Sequence, residues 1–221
     1  MKKHAFLGVL FGLLLSCTVM AISVSSTAKS SSFYLSQNDK YDIVENSGFD
    51  SVDQYIKAYN FVTDSFSGDA IESAKIAENE IFTTAQLAGF KKQGSILVFS
   101  IAFSASCAVA IAVCVIVWVR KQKKAEQDFS VELFSFGMSS FITSFILALA
   151  VNAAILFIPP TCLAPEQAGF SAILFSPEFF ADFIKGITRF FNFLMIAPLF
   201  ISYLFIKRRV KSHPNDDYLY Q

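Results

Sequence analysis

The chain has 221 residues, of which 54% are hydrophobic and only 16% charged, and its mean hydropathy is +0.50. A soluble domain of this length carries closer to a quarter charged residues, so the composition is typical of a membrane protein. The net charge is zero, which argues against nucleic acid as a partner.

The first apolar block runs from Ala5 to Val24 and follows Lys2-Lys3-His4. Three interpretations remain open. A retained transmembrane helix over residues 1–25 is favoured, because ~20 apolar residues exceed the usual signal-peptide core of roughly 7–15. A signal peptide cleaved after Ala21 or Ala28 also has the required basic start. A lipoprotein signal ending at Cys17 fits less well, because the chain stays hydrophobic after this cysteine.

Residues 26–93 are polar and predict an external helical hairpin. Ser51 and Gln54 have the spacing of a capping box, and Gly68 marks the end of the helix that they begin. Its apolar stripe consists of Val52, Tyr55, Ile56, Tyr59, Val62 and Phe66. A second helix is predicted from Asp69 onward, with Ile71, Ala74, Ile81, Ala85 and Ala88 on its inner face.

Residues 94–120 and 134–158 predict the second and third transmembrane helices, joined by a basic cytoplasmic loop at 121–133. Each helix repeats a small or polar residue every fourth position, and such residues allow helix backbones to approach closely. The repeats are Ser100, Ser104, Ala108 and Ala112 in the second helix, and Ser140, Ser144, Ala148 and Asn152 in the third. Because the connecting loop is short, these two helices are predicted to be antiparallel neighbours.

Residues 159–186 form a phenylalanine-rich segment, predicted to lie outside the membrane or in its interface. The fourth transmembrane helix is predicted at 187–206, and the cytoplasmic tail at 207–221. Pro198 lies inside this helix and removes the donor for the Leu194 carbonyl, so a kink is expected.

The distribution of Lys and Arg predicts the orientation in the membrane. Ten of the eighteen lie at the N-terminus, in the 120–124 cluster and in the 207–211 cluster. These three regions fall on one side if all four apolar blocks span, and that side is cytoplasmic. The sequence therefore predicts an all-α plasma-membrane protein with four spans, both termini cytoplasmic and residues 26–93 external.

Polar residues near the outer ends of the third and fourth helices predict a binding patch. Asn152 and Asn192 lie at similar depth, and Arg189 lies one turn above Asn192 on a face shared with Lys185. The alternative is structural, namely an amide pair between helices together with basic side chains that reach toward the membrane surface.

The sequence contains no motif for a metal, cofactor or enzyme nucleophile. His4 and His213 stand at opposite ends of the chain, and only Cys162 lies in a polar loop. No disulfide framework, no Cys/His metal cluster and no Cys/His or Ser/His dyad on the external face is therefore expected.

Three stretches give a resemblance to the small four-span lipoprotein intramolecular transacylases of Gram-positive bacteria. The first is Phe33-Tyr34 with Tyr41, Tyr55-Ile56-Lys57-Ala58-Tyr59 and Gly68, and the second is Glu80-Ile81 with Ala85 and Leu87. The third is Leu174-Phe175-Ser176-Pro177-Glu178-Phe179-Phe180-Ala181-Asp182. The last is similar to the family's Phe-Pro-x-x-Phe-Phe-x-Asp signature. The resemblance implies a four-helix membrane fold, lipoprotein and membrane-lipid partners, and acyl transfer from a lipoprotein's glyceryl-cysteine to its amino group.

The resemblance also implies two external catalytic histidines, and this chain has neither. Thr83 stands where the first is expected, and Phe157-Ile158-Pro159-Pro160 where the second is. Three hypotheses follow: a lipid- or lipoprotein-binding relative without the activity, an acyltransferase with a carboxylate base, or a scaffold for another membrane protein. The candidate bases are Glu80, Glu178 and Asp182, and the phenylalanines around Glu178 are expected to desolvate it.

Overall fold

The computed structural model describes residues 2–47, 49–67, 74–76, 79–124, 130–157 and 176–212. In chain order these form α1 (Lys2–Ala28), α2 (Ser31–Tyr41), α3 (Ile43–Ser47), α4 (Val52–Ser67), β1 (Ala74–Ile76), β2 (Asn79–Phe82), α5 (Thr84–Lys124), α6 (Ser130–Phe157), α7 (Pro177–Leu194) and α8 (Ile196–Ser212). Most of the predicted 159–186 segment and the end of the predicted tail lie outside the described residues.

Four helical stretches of the described chain are long and apolar enough to cross a bilayer: His4–Ala28, Thr84–Lys121, Val131–Ala154 and Pro177–Lys207. This confirms the predicted four-span, all-α class. The helix that carries the second span begins at Thr84, ten residues before the predicted start of that span, and the helix that carries the fourth begins at Pro177, also ten residues early. The predicted starts differ because they are based on the apolar stretches, whereas these two helices begin in the more polar sequence before them.

The chain divides into two compact units, and the first comprises Met1–Met20, Ser100–Ala153 and Phe191–Gln221. Its main core consists of Phe11, Ala108, Val115, Leu133 and Phe136. Gly8 and Gly12 of α1 lie directly against the α6 backbone, because a Cβ on either would collide with a carbonyl oxygen, of Phe136 or of Ser140. The absence of side chains at these two glycines therefore sets the α1–α6 separation.

The four-residue repeats are packing surfaces, as predicted, but they face other partners than expected. Thr18 of α1 donates to Ser104 Oγ over 2.8 Å, so the repeat of the second span faces the first. On α6, the buried Ser140 hydroxyl pairs with Ser202 of α8 over 2.7 Å, and the buried Ser144 donates to the Gly12 carbonyl over 3.4 Å. These contacts between helices add to bonds within each helix, because the Thr18, Ser104 and Ser202 hydroxyls also donate to the carbonyls of Leu14, Ser100 and Pro198.

The fourth span is interrupted at Met195, between α7 and α8, as Pro198 predicts. The amide of Met195 still bonds the Phe191 carbonyl over 2.8 Å, and Leu199 bonds the Met195 carbonyl over 3.3 Å. Proline has no amide hydrogen to continue the intervening ladder, so the chain breaks one turn before it.

The second unit comprises Ala21–Phe99 and Ala154–Phe190. Its core is rich in aromatic side chains drawn from α2, α4, β2, α5 and α7. Its buried members are Tyr34, Ile43, Phe49, Tyr55, Ala58, Tyr59, Val62, Ile76, Phe82, Leu87, Phe90 and Phe179.

Helix α4 confirms the predicted amphipathic helix and most of its stripe. Ser51 caps it, and its hydroxyl accepts from the Gln54 amide over 3.4 Å. Tyr55, Tyr59 and Val62 are buried, whereas the predicted Val52 is exposed. Val52 is the first residue of the helix, and the inner face begins one turn later.

The predicted second helix of the external hairpin is wrong at Ala74–Ile76 and Asn79–Phe82, whereas Ala85 and Ala88 are helical, in α5. Asp69 and Ile71 lie outside the described residues. Strands β1 and β2 pair antiparallel in this region, with Lys75 opposite Glu80 and an irregularity between Ala74 and Lys75. Ile76 and Phe82 are buried in the aromatic core. The helical propensity of Ala and Glu is overridden because the extended conformation places both apolar side chains in one core.

Candidate functional site

The second unit contains a polar cluster of Lys40, Tyr41, Asp182 and Lys185, and buried tyrosines of the same unit lie in its aromatic core. Tyr34 of α2 is buried and stacks on Tyr59, with ring centroids 5.2 Å apart. Its hydroxyl donates to the Ala28 carbonyl over 3.1 Å, and Tyr55 donates to the Tyr34 carbonyl over 2.6 Å. Burial raises the pKa of the Tyr34 and Tyr55 phenols well above the ordinary value, so both stay neutral donors.

Helix α7 brings acidic and basic residues to the tyrosine-bearing α2. Its N-terminus is set by Ser176, whose hydroxyl accepts from the Phe179 amide over 3.2 Å, and by Pro177 in the first turn. Phe179 and Phe183 then pack edge-on against Phe33 at centroid distances of 5.6 and 5.7 Å. These contacts hold the first two turns of α7 against α2.

Asp182 is the centre of the polar cluster. One carboxylate oxygen, Oδ2, accepts from the Lys40 ammonium and from the Tyr41 hydroxyl, the latter over 2.9 Å. The other, Oδ1, accepts from Lys185 Nζ over 3.2 Å. Three donors therefore stabilise the ionised carboxylate.

These hydrogen bonds and burial change the pKa values of two of the donors, Lys40 and Tyr41. Hydrogen bonds to Asp182 and to Tyr41 raise the pKa of Lys40, so it remains cationic. Burial raises the pKa of the Tyr41 phenol, and this outweighs the opposite effect of the Lys40 hydrogen bond. Both shifts favour a charged Lys40 ammonium and a neutral Tyr41 phenol.

The two predicted asparagines form an amide pair in the first unit. Asn152 Nδ2 donates to Asn192 Oδ1 over 2.8 Å, and Asn192 Nδ2 returns a bond of 3.0 Å to Asn152 Oδ1. Asn152 also donates to the Ala148 carbonyl over 2.7 Å. This reciprocal geometry joins α6 to α7 and matches the structural alternative for these residues.

The other predicted binding residues, Lys185 and Arg189, lie on α7 in the second unit. Lys185 joins Asp182, as described, and Arg189 is exposed. Within the described part of the chain no carboxylate lies within ion-pair distance of Arg189.

The three candidate bases differ in their surroundings. Glu178 is exposed in the first turn of α7, so the expected desolvation by the neighbouring phenylalanines is wrong; Phe179 turns inward and its acidic neighbour outward. Glu80 is exposed on β2 opposite Lys75. Only Asp182 is withdrawn from solvent, with 13% of its side chain exposed.

Thr83 stands between β2 and α5, where it caps the helix. Its hydroxyl accepts from the Gln86 amide over 3.3 Å, and the Gln86 side chain accepts from the Thr83 amide over 2.8 Å. This reciprocal pair is a capping box. The spacing Thr83-x-x-Gln86 in the sequence was the available signal that α5 begins here.

Lys40 and Tyr41 belong to the candidate site, although the sequence did not mark them as binding candidates. They lie 142 and 141 positions from Asp182, so no local pattern connects them. The only available signal was Tyr41 itself, which belongs to the stretches that carry the family resemblance.

No protein-family model matches the sequence, and no curated protein matches it. Solved structures of the integral-membrane lipoprotein intramolecular transacylase Lit from Bacillus cereus are similar in fold. A histidine-to-arginine variant matches with a TM-score of 0.61 and 14% identity, covering 96% of this chain and 95% of that one. A histidine-to-alanine variant has a TM-score of 0.60 and 13% identity, and the match covers 94% of this chain and 96% of that one. A further structure of the same protein has a TM-score of 0.58 and 15% identity, and the match covers 94% of this chain and 98% of that one.

The likeness extends over nearly the full length of both chains, at an identity too low to carry activity from one to the other. It confirms the resemblance at the level of fold. The protein is a multi-pass membrane protein that has the fold of the lipoprotein intramolecular transacylase.

Proposed function

We propose that this protein resides in the plasma membrane of a Gram-positive bacterium, with both termini cytoplasmic, and binds membrane lipid or a lipoprotein at its external face without transferring an acyl chain. The first helix is retained in this proposal. Its support is that Phe11, Gly8 and Gly12 of α1 contribute to the core of the first unit, and that His4 stacks on Trp118 at a centroid distance of 4.4 Å.

The observation that carries the proposal is the engagement of Asp182. A general base must offer a free lone pair to the reacting group and must take up a proton near neutral pH. Asp182 instead gives its oxygens to Lys40, Tyr41 and Lys185. It serves as an anchor for two ammonium groups, which suits recognition of a ligand better than proton transfer.

A second candidate function, acyl transfer with a carboxylate base, is favoured by Glu178. This carboxylate is exposed near the start of α7 and, among the described residues, forms no ion pair. It is therefore open to a substrate amino group. Glu80 is likewise exposed, on β2.

Expression in a bacterial host that lacks a transacylase separates the two functions. The N-terminal lipopeptides of the host's lipoproteins are analysed by mass spectrometry, with the protein's level in the membrane fraction measured in parallel. We expect the lipoproteins to keep their starting acyl form. Appearance of the lyso-form, lost in Glu178→Gln but kept in Glu80→Gln, would instead establish an enzyme with a replaced base.

The binding half of the proposal is tested with a synthetic lipopeptide carrying a diacylglyceryl cysteine. The purified protein in neutral detergent is titrated with this lipopeptide and with the same peptide without acyl chains. Saturable binding of the acylated form alone is expected. Equal behaviour of the two peptides would refute lipoprotein binding.

A further inference from the structure

In the cluster around Asp182, the two ammonium groups are more exposed to solvent than the carboxylate that they bind. The side chain of Asp182 is 13% exposed, whereas those of Lys40 and Lys185 are 53% and 63% exposed. Each ammonium has three donors. Lys185 uses one of them on Asp182, and Lys40 uses two, on Asp182 and Tyr41. Among the described residues, three ammonium donors therefore remain available to an external acceptor.

Arg189 adds to this charge. It follows Lys185 by four positions on α7, so both side chains lie on the helix face that carries Asp182. Lys40 of α2 adds a third cation beside Asp182. The remaining carboxylate of this face, Glu178, lies eleven positions before Arg189, or about 16 Å along the helix axis at ~1.5 Å per residue.

Like charges four positions apart destabilise a helix. Lys185 and Arg189 stand in this relation, and within the described chain no carboxylate reaches Arg189. An anion bound between them removes the repulsion. The planar guanidinium of Arg and the ammonium of Lys are both suited to phosphate oxygens.

The cations stand where exposed apolar surface begins. Phe190, next to Arg189, is 41% exposed, and on α5 the exposed apolar residues Ile96 and Phe99 follow the exposed Lys92. By contrast residues 26–93 as a whole carry ten acidic and six basic residues. Lipid headgroups lie at such a boundary between polar and apolar protein surface, so the position of Arg189 suits contact with a headgroup.

We propose that Lys40, Lys185 and Arg189 form a binding site for a phosphate group, supplied by an anionic phospholipid headgroup or as free phosphate. Asp182 and Tyr41 hold the Lys40 ammonium, and Asp182 holds that of Lys185, so the two are positioned before the ligand arrives. The inference rests on the proposed function in placing a lipid at this face, and it names the chemical group that is recognised.

The test is a binding titration of the full-length protein in neutral, phosphate-free detergent, followed by native mass spectrometry. The probes are dioleoylphosphatidylglycerol, dioleoylphosphatidylcholine and inorganic phosphate. We expect the anionic lipid to bind about tenfold more tightly than the zwitterionic one. The double variant Lys185→Gln/Arg189→Gln is expected to lose this preference.

The matched control is Lys57→Gln/Lys75→Gln, which removes the same charge from exposed positions on α4 and β1. It is expected to keep the preference, as is the charge-conserving Lys185→Arg/Arg189→Lys. Equal affinity for the two lipids together with no effect of inorganic phosphate would overturn the proposal. An equal loss in the control double variant would also overturn it, because net charge alone would then explain binding.

The titration with inorganic phosphate identifies whether the bound phosphate group comes from a lipid headgroup or from free phosphate. Competition by millimolar inorganic phosphate supports recognition of the phosphate itself, and anionic-lipid preference without competition supports recognition of the whole headgroup. The lipopeptide titration separates this inference from the proposed function. Lipopeptide binding with neither a phosphatidylglycerol preference nor an effect of inorganic phosphate refutes the phosphate site alone. A phosphatidylglycerol preference without lipopeptide binding refutes lipoprotein binding alone.

Discussion

Replacing Gly12 by alanine tests the close approach of α1 and α6. A Cβ at Gly12 would lie 2.6 Å from the Ser140 carbonyl oxygen, and real Cβ contacts essentially never fall below 3.0 Å. The two backbones must therefore separate by at least about 0.4 Å. Overpacking of this kind costs about 1–3 kcal/mol.

Gly89 is the matched control. It lies in the interior of α5, and an added Cβ there meets no atom within 4 Å. Gly89→Ala keeps only the gain in helix propensity, which is about 1 kcal/mol. Gly12→Ala has the same gain and adds the steric cost, so it is expected to be less stable than Gly89→Ala by about 1–3 kcal/mol.

The free energies of unfolding are compared by titrating both variants with sodium dodecyl sulfate in mixed micelles and following helical circular dichroism. Gly8→Ala provides a second point. Its Cβ would approach the Phe136 carbonyl oxygen still more closely, so its stability should fall below that of Gly12→Ala. Stability of Gly12→Ala equal to or above that of Gly89→Ala would refute the reasoning.

Three further outcomes are expected. Ser144→Leu should lower the melting temperature in detergent more than Leu97→Ala, because bulk at a buried small-residue contact separates helices; similar values for both would argue against that contact. Tyr55→Phe should cost about 1 kcal/mol of unfolding free energy through its lost 2.6 Å hydrogen bond, while the exposed Tyr203→Phe should cost almost nothing, and equal costs would contradict this difference. A Ser31→Cys variant should react with a membrane-impermeant thiol reagent in intact cells, and its protection would reverse the proposed orientation.

Apolar runs predicted the four spans, because lipid imposes a minimum length of uncharged helix. Pro198 predicted the break at Met195 for an equally local reason, the missing amide hydrogen. The capping residue Ser51 predicted the start of α4. Each of these features is decided within one or two helical turns, so the sequence alone suffices.

The errors arise where distant residues compete. Strands β1 and β2 replace a helix because Ile76 and Phe82 reach an aromatic core whose other members lie far away in the chain. The partners of Ser104 and Ser140 could not be inferred from the sequence. A repeat of small residues indicates that another helix packs closely, but it does not identify that helix. The same limit hid the pairing of Lys40 with Asp182, which joins α2 to α7.

The capping role of Thr83 restricts how this position can be redesigned. The hydroxyl satisfies the Gln86 amide at the start of α5, and replacing a capping residue typically costs about 0.5–2 kcal/mol. An imidazole introduced here would have to supply this hydrogen bond or leave the amide without it. A gain of proton-transfer chemistry at residue 83 would therefore come with a weakened helix start, whereas serine, asparagine or aspartate would preserve the helix without adding an imidazole.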